Sequence, residues 1–245
     1  HFGHILRAAT VSPDGKRVAI GGMATTVTIW NAEDDALAEL DAGSEVFDLT
    51  WCEDGRLAAA LFSGEIVIWN ADGERLLTIR NAHEGNVVCL DWKPGGRVLA
   101  STGADLLLKT WDPASGELQW QAETQRSFAR EICFSRDGSM LATAHSDGLT
   151  LWDSDTSQIR HKLDSIRQDF KSVDWSPDGR RVVSGSPSSV ALWDVPSGKM
   201  ALRLDCPQDL QTVRWSSDGV QIIASGRGIR VYDATRGYAL NQSSE

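Results

Sequence analysis

Apolar and polar residues alternate in short runs along the whole chain. In the run EVFDLTW, residues 45–51, the apolar residues are Val46, Leu49 and Trp51, but Phe47 stands where the alternation requires a polar residue. Such runs are bounded by Asp-Gly and Pro-Asp-Gly, which favour tight turns, and this arrangement predicts strands. No segment has the periodicity of an amphipathic helix. The pattern therefore predicts an all-β protein.

Two marks repeat along the chain with the same period. The first is a turn, SPDG at 12–15 and again at 176–179, which recurs in variant form at 52–55, 93–96, 135–138 and 216–219. The second is an aromatic residue that ends a later strand, and it steps by 39, 42, 41, 41 and 39 residues through Trp30, Trp69, Trp111, Trp152, Trp193 and Tyr232. A shared period of this length indicates six structural repeats.

Each repeat divides into four predicted strands. In the fifth repeat they are predicted at 169–175, 181–185, 189–194 and 199–204. A lone sheet of this kind cannot bury both faces, whereas stacking each sheet against the next does so. The large indole at the end of the third strand is expected to fill the space between neighbouring sheets.

These two marks resemble those of WD40 repeats, over nearly the whole chain. The resemblance implies a β-propeller of four-stranded antiparallel blades, with six blades in a single domain, residues 1–245. Its repeats would span about 1–41, 42–81, 82–123, 124–164, 165–205 and 206–245. The first repeat begins with its own inner strand, and an outer strand is predicted for the last repeat at 237–243. Either the six blades close a ring without shared strands, or they form part of a larger ring.

The third repeat carries the fullest set of family residues. The resemblance implies a buried hydrogen-bond network of structural importance, formed by His83, Ser101, Asp105 and Trp111. The fourth repeat has Thr143, Asp147 and Trp152 but no His at the matching position. The fifth has Pro187 and the first has Ala24 where the family has Asp.

The innermost strand of each repeat has an irregular rhythm. Apolar residues lie two and five places before its final aromatic residue, as Leu49 and Val46 do before Trp51. One extra residue of this kind predicts a β-bulge, which turns a side chain out of the sheet. By the resemblance, such residues and one residue of the following loop face the narrow rim of the propeller. Those expected to bind protein are Ile5, Arg7, Met23, Phe47, Phe62, Val88, Phe128, Arg130, Lys171 and Arg227.

Composition narrows the function classes. The 245 residues have a net charge of −10, which argues against a nucleic-acid backbone as the main partner. No apolar run is long enough to span a membrane. The four cysteines form no C-x-x-C pair, which favours a reducing, cytoplasmic compartment. The five histidines are scattered, and neither a P-loop nor a G-x-S-x-G motif occurs, so no metal, cofactor or enzymatic activity is expected.

The expected function is a non-enzymatic protein-interaction scaffold that binds a peptide or protein on the narrow rim. Aromatic residues mixed with Arg are typical of binding hot spots. Cations in an acidic chain favour an acidic or phosphorylated peptide. The alternative is a structural or assembly module that completes a larger propeller or an oligomer through open blade edges, since exposed edge strands invite pairing.

Overall fold

The computed structural model describes residues 5–124, 127–163, 169–206 and 209–235, and all of its regular structure there is β-strand. The strands form six antiparallel sheets that follow one another along the sequence, each built from strands consecutive in the chain. The predicted all-β class and the repetition of antiparallel sheets are confirmed, with four described strands in each of five sheets and three in the sixth. The chain divides into two compact units, residues 1–132 and 133–245.

The first unit holds three four-stranded sheets. The strands of the first sheet are β1 (Leu6–Val11), β2 (Arg17–Gly22), β3 (Thr26–Asn31) and β4 (Leu37–Asp41). Those of the second are β5 (Val46–Trp51), β6 (Leu57–Leu61), β7 (Ile66–Trp69) and β8 (Arg75–Ile79). Those of the third are β9 (Val87–Trp92), β10 (Leu99–Gly103), β11 (Leu107–Trp111) and β12 (Leu118–Glu123).

The fourth sheet begins at the boundary between the units and the remaining sheets follow it. Its strands are β13 (Glu131–Phe134), β14 (Met140–His145), β15 (Gly148–Asp153) and β16 (Ile159–Leu163). The fifth sheet comprises β17 (Ser172–Trp175), β18 (Arg181–Ser186), β19 (Ser189–Asp194) and β20 (Lys199–Asp205). The sixth has three described strands, β21 (Thr212–Trp215), β22 (Gln221–Ser225) and β23 (Ile229–Asp233). The outer strand predicted at 237–243 lies outside the described residues.

The first strand of the fifth repeat starts at Ser172 and not at the predicted residue 169. The two preceding residues donate single backbone hydrogen bonds, Phe170 to the carbonyl of His145 and Lys171 to that of Gly185. Phe170 is fully buried and its ring meets Trp193 edge to face, with 6.1 Å between the ring centroids. This stretch is therefore fixed by packing and not by ladder pairing.

The predicted bulges are confirmed in the first unit. The register of β1 skips Arg7 between Leu6 and Ala8, and the register of β5 skips Phe47 between Val46 and Asp48. In the third sheet the skipped residue is Val88. An unpaired residue in one strand bends that strand and re-aims its side chain.

Apolar clusters lie between consecutive sheets of each unit. Two join the first sheet to the second and the second to the third, and two join the fourth to the fifth and the fifth to the sixth. We call the face that packs on the following sheet the front face, and the opposite face the rear face. In the second sheet Ile66 and Ile68 lie on the front face, whereas Val67 and Trp69 lie on the rear face. This alternation follows from the two-residue period of a strand.

Third-strand indoles lie in the apolar clusters between sheets, as predicted, for Trp69 and Trp111 in the first unit and Trp193 in the second, whereas Trp30 is only partly buried. Trp69, Trp152 and Trp193 are each no more than 2% exposed. Among the described residues there is no helix long and apolar enough to cross a membrane.

Candidate protein-binding site

Two bulged residues from neighbouring sheets meet at the end of the sheets where β1 and β5 begin. The guanidinium carbon of Arg7 lies 4.3 Å from the centroid of the Phe47 ring. The Phe47 ring is in turn stacked on Phe62, with 6.0 Å between centroids and 21° between the ring planes. We call these three residues, together with Ile5 and Met23, the bulge-end patch.

Backbone hydrogen bonds fix the loop residues of the bulge-end patch beside the bulges. The amide of Phe62 donates to the carbonyl of Glu45 at 2.9 Å, and the amide of Met23 donates to the carbonyl of Ile5 at 3.0 Å. The side chains project into solvent, because Ile5, Phe62 and Met23 are 67%, 56% and 41% exposed. The backbone of the patch is therefore ordered by its sheets while its apolar side chains remain uncovered.

The charge of Arg7 is partly balanced from within the same unit. Its guanidinium lies 3.5 Å from the carboxylate of Glu45, and both side chains are about one third exposed. A surface ion pair of this kind contributes roughly 1 kcal/mol or less. Glu45 therefore holds Arg7 only weakly.

Three further predicted residues lie at the same end of the third sheet. Val88 is the bulged residue of β9, and Phe128 is 42% exposed. The hydroxyl of Thr102, near the end of β10, donates to the carbonyl of the buried Ala129 at 3.2 Å, which fixes the backbone between Phe128 and Arg130. Arg130 itself is exposed.

The other two predicted residues belong to the second unit. Lys171 lies 3.4 Å from the carboxylate of Asp209 and 3.3 Å from the side-chain oxygen of Gln211. Arg227 is exposed in the turn that connects β22 to β23. In this unit both predicted binding residues are cations, and Lys171 is partly neutralised by Asp209.

The third sheet contains a continuous buried hydrogen-bond chain. The indole N–H of Trp111 donates to Ser101 Oγ at 2.8 Å. Ser101 Oγ lies 2.7 Å from His83 Nε2, and His83 Nδ1 lies 2.7 Å from Asp105 Oδ1. Since an ionised carboxylate can only accept, a neutral imidazole carries its proton on Nδ1 and donates it to Asp105. Nε2 then accepts the proton of the Ser101 hydroxyl, whose oxygen in turn accepts the indole N–H of Trp111.

The environment keeps this imidazole neutral. Burial lowers the pKa of His83 and outweighs the opposing hydrogen bond to Asp105. Burial also acts to raise the pKa of Asp105, but the hydrogen bonds that its carboxylate accepts, first of all from His83, hold that pKa below the ordinary value. Lys109 adds a contact that the sequence did not reveal, donating to the carbonyl of Ala82 at 2.6 Å and lying 3.4 Å from Asp105.

The fourth sheet has a related network with a histidine from a different position. The Trp152 indole donates to Thr143 Oγ1 at 2.9 Å, and Thr143 Oγ1 lies 2.7 Å from His145 Nε2. Residues two apart on a strand share a face, so the Thr-x-His spacing of β14 predicts that the two side chains lie on the same face of the fourth sheet. In the fourth sheet His145 of β14 thus supplies the imidazole that is missing at the family position.

Asp48 connects the second sheet to the third. Its carboxylate accepts the amide of Leu49 at 2.9 Å and the amide of Leu90 in β9 at 2.8 Å. Burial raises the pKa of Asp48 to about 6, against the hydrogen bonds it accepts, and Glu131 contributes in the same direction. Burial also raises the pKa of the neighbouring Cys89 thiol well above its ordinary value.

Within the described ranges, no group of three or more His, Cys, Asp or Glu side chains is arranged to hold a metal ion. All four cysteines are free. The contacts that the bulge-end patch shows are aromatic stacking, a cation–π contact and a charge pair.

Two parts of the sequence match known families. Residues 49–128 match the family described as the anaphase-promoting complex subunit 4 WD40 domain. Residues 159–194 match the family described as the WD domain, G-beta repeat.

Several curated proteins are similar to this chain over a little more than half of its length. Protein HIR1 of Cryptococcus neoformans is 27% identical over 169 residues, which cover 56% of this chain and 19% of HIR1. Apoptotic protease-activating factor 1 of Rattus norvegicus is 26% identical over 144 residues, covering 58% of this chain and 12% of that protein. Protein groucho of Drosophila melanogaster is 30% identical over 140 residues, covering 56% and 19%. The chain thus spans less than a fifth of the length of each of these relatives.

Proposed function

We propose that this chain, a WD40-repeat protein, is a non-enzymatic protein-interaction module that binds a peptide or protein at the bulge-end patch. The observation that carries the proposal is the stack of Arg7, Phe47 and Phe62, in which an ordered backbone displays an aromatic surface to solvent. Aromatic residues and Arg are the residue types that contribute most to protein interfaces.

The partner chemistry follows from the patch. An apolar side chain of the partner would pack against Phe62, Met23 and Ile5 and remove exposed apolar surface from water. A carboxylate or phosphate next to it would replace Glu45 on Arg7 and form a bidentate pair, which a guanidinium favours. We therefore propose an acidic or phosphorylated peptide with a bulky apolar residue beside its anion.

The remaining predicted residues extend this surface in the proposal. Val88, Phe128 and Arg130 would continue it on the third sheet, and Lys171 and Arg227 are proposed as protein-binding cations of the second unit by itself. The proposal includes neither a nucleic acid nor a membrane as partner, and it needs no cofactor. The four free cysteines are compatible with the cytoplasmic compartment that we propose for the protein.

The buried imidazole of His83 supports a structural role in this proposal. It is 4% exposed and its pKa is lowered, so a solvent-borne substrate would not reach it. The hydrogen bonds that surround it satisfy Trp111 and Ser101 within the sheet. We therefore assign His83, Ser101, Asp105 and Trp111 to the stability of the third sheet.

A peptide-display selection tests the binding function. Random and phosphorylated peptides are selected on the wild-type protein, and the affinity of the enriched peptides is measured. Selected peptides should carry an anion beside an apolar residue, and they should lose most of their affinity for the Arg7→Glu, Phe47→Ala, Phe128→Ala variant.

The matched control carries the same kinds of change elsewhere on the first unit. Lys16→Glu, Leu76→Ala and Leu118→Ala alter one exposed cation and two exposed apolar residues on other strands and turns. This control should retain the affinity. Circular dichroism verifies that the triple variant is folded. If that folded variant binds the peptides as tightly as the wild type does, the proposed binding site is wrong.

A second candidate function is structural. The chain would act as an assembly module that completes a larger propeller or an oligomer. The observation that favours it is the exposure of several large apolar residues on the first and sixth sheets, among them Val11 at 58% and Ile229 at 75%.

A further inference from the structure

The outer strands β8 and β12 belong to neighbouring sheets of the first unit, and both have a free edge. Each is the last strand of its sheet, so only its inner side pairs with another described strand. The turn before β12 touches β8, because a Cβ on Gly116 would lie 3.4 Å from the side chain of Leu77 and 3.6 Å from that of Ile79. The two free edges therefore lie side by side on the outside of the first unit.

Strand register shows which backbone groups of β12 face its free edge. The amide of Thr124 donates to the carbonyl of Leu106 at 2.8 Å, so the backbone groups of Thr124 face β11. The direction of these groups alternates along an antiparallel ladder. Glu123 and Gln121, one and three places earlier, therefore direct their N–H and C=O groups away from β11.

Thr78 holds the matching position in β8. Thr78 pairs with Val67, two residues before the third-strand Trp of the second sheet, and Gln121 pairs with Lys109, two residues before that of the third. The backbone groups of Thr78 therefore also face outward. Each of the two edges offers hydrogen-bond donors and acceptors to a further strand.

The two edges carry opposite charges at their ends. Glu117 precedes β12 and Glu123 ends it, whereas Arg75 begins β8 and Arg80 follows it, and no charged residue lies between the members of either pair. Charged residues inside an edge strand are a common protection against pairing with other chains. The outer strands β4, β16 and β20 have such residues inside the strand, namely Glu39, Arg160, Lys162 and Arg203.

We propose that two copies of the chain form a twofold-symmetric dimer in which β8 of each copy pairs antiparallel with β12 of the other. β8 and β12 run in the same direction, because each is the fourth strand of a sheet whose first strand begins at the bulge end. A twofold axis that passes between them exchanges their places and reverses their direction. Both antiparallel pairings therefore form at once, and each joins two blades into one continuous sheet.

The end charges favour this pairing over the pairing of like strands. When β8 meets β12 antiparallel, Arg75 and Arg80 of one copy lie beside Glu123 and Glu117 of the other. A β12–β12 pair would instead bring carboxylates together, and a β8–β8 pair would bring guanidinium groups together, which is unfavourable. Arg75 also contacts the carboxylate and carbonyl of Asp41, at an exposed site that leaves it other N–H donors.

The dimer is closed by its symmetry. Because the same two strands of each copy take part, the contact is isologous and does not lead to larger species. Its energy comes from two sets of main-chain hydrogen bonds and from the end charges, and neither involves the bulge-end patch. The proposal therefore rests on neither of the two candidate functions given above.

Sedimentation velocity up to high-micromolar concentrations tests the proposal. The wild type should form a dimer and no larger species. The variant Glu117→Arg, Glu123→Arg has cations on both edges, and the variant Arg75→Glu, Arg80→Glu has carboxylates on both. Each variant alone should dissociate roughly 100-fold or more readily than the wild type, because like charges then face each other at every end.

An equimolar mixture of these two variants is the decisive sample. Each edge of one variant then meets an edge of opposite charge on the other, so the mixture should form a heterodimer about as stable as the wild-type dimer. The control Arg160→Glu, Lys162→Glu reverses two charges on the outer strand β16 and should dimerise like the wild type.

A proline tests the part of the backbone. Gln121→Pro removes an N–H that faces the free edge, while the pairing of β12 with β11 does not use it. This variant should remain a monomer. The matched control is Arg203→Pro in β20, since Arg203 pairs with Ala191, two residues before Trp193, and so holds the same position in the fifth sheet. It should dimerise like the wild type.

Three results would overturn the proposal, with circular dichroism showing that each variant is folded. The first is a wild type that stays monomeric at every concentration. The second is a dimer that persists in Gln121→Pro or is lost equally in Arg203→Pro. The third is a mixture of the two charge variants that contains only monomers. Peptides selected for the bulge-end patch should bind Gln121→Pro with unchanged affinity, so the two proposals fail separately.

Discussion

The guanidinium of Arg7 in the first sheet lies 4.3 Å from the ring centre of Phe47 in the second sheet, and both residues are the bulged residues of their strands. The two bulges therefore turn side chains of neighbouring sheets toward one another. We predict that this cation–π contact couples the two sheets by about 0.5–1 kcal/mol.

A double-mutant cycle in urea measures that coupling. The free energies of unfolding are compared for the wild type, Arg7→Ala, Phe47→Ala and the double variant. Replacing Glu45 by Gln should change stability by less than the Arg7–Phe47 coupling, since the ion pair is screened by solvent. Strict additivity of the two single variants would contradict the prediction.

The buried chain in the third sheet is predicted to stabilise the fold. Ser101→Ala leaves the indole N–H of Trp111 and Nε2 of His83 without their shared partner. The loss should be about 1–3 kcal/mol, because unsatisfied buried polar groups retain their full desolvation cost. His83→Ala and Asp105→Ala should also lower Tm, measured by thermal denaturation.

Peptide binding distinguishes a structural role of the hydrogen-bond network in the third sheet from a functional one. At a temperature where the His83→Ala and Asp105→Ala variants are folded, peptides selected on the wild type should bind them with unchanged affinity. Loss of binding by a folded variant would show that the imidazole or carboxylate takes part in recognition.

The sequence was sufficient for the repeat, for the strand positions apart from the later start of β17, and for the bulges of the first unit, because these follow from turn residues and two-residue periodicity. It also placed Arg7, Phe47 and Phe62 at one end of their sheets. The His145 network was not foreseen, since the family pattern drew attention to a different position. The contact of Lys109 with Ala82 and the pairing of Arg7 with Glu45 depend on side-chain conformation, which periodicity does not determine.

The hydrogen-bond network of the fourth sheet can be tested by a substitution that keeps the side-chain shape. Thr143→Val keeps the shape of the side chain but removes the hydroxyl that receives the Trp152 indole N–H and contacts His145. We expect a loss of about 1–3 kcal/mol in the free energy of unfolding. Thr143→Ser retains the hydroxyl and should lose less than Thr143→Val. If the serine variant is the less stable of the two, the hydroxyl is not the stabilising group.

The carboxyl group of Asp48 is predicted to make stability depend on pH in an unusual direction. Its pKa is about 6 in the folded protein against an ordinary value of 3.8, so the folded state binds this proton more tightly than the unfolded state. Its contribution to stability is then fully present below the unfolded pKa and is lost as pH rises through the folded pKa. Glu131 and the Cys89 thiol are the titratable groups near it.

Thermal denaturation of the wild type and Asp48→Asn from about pH 4.5 to pH 7.5 isolates this effect. Asn cannot titrate, so lost hydrogen bonds to Leu49 and Leu90 shift Tm by an amount that is independent of pH. The Tm of the wild type minus the Tm of Asp48→Asn should therefore rise by a few degrees as the pH falls through 6. The opposing effect of His83, whose pKa is lowered by burial, is common to both proteins and cancels in the difference. Parallel Tm curves over this range would show that Asp48 is ionised with an ordinary pKa in the folded protein.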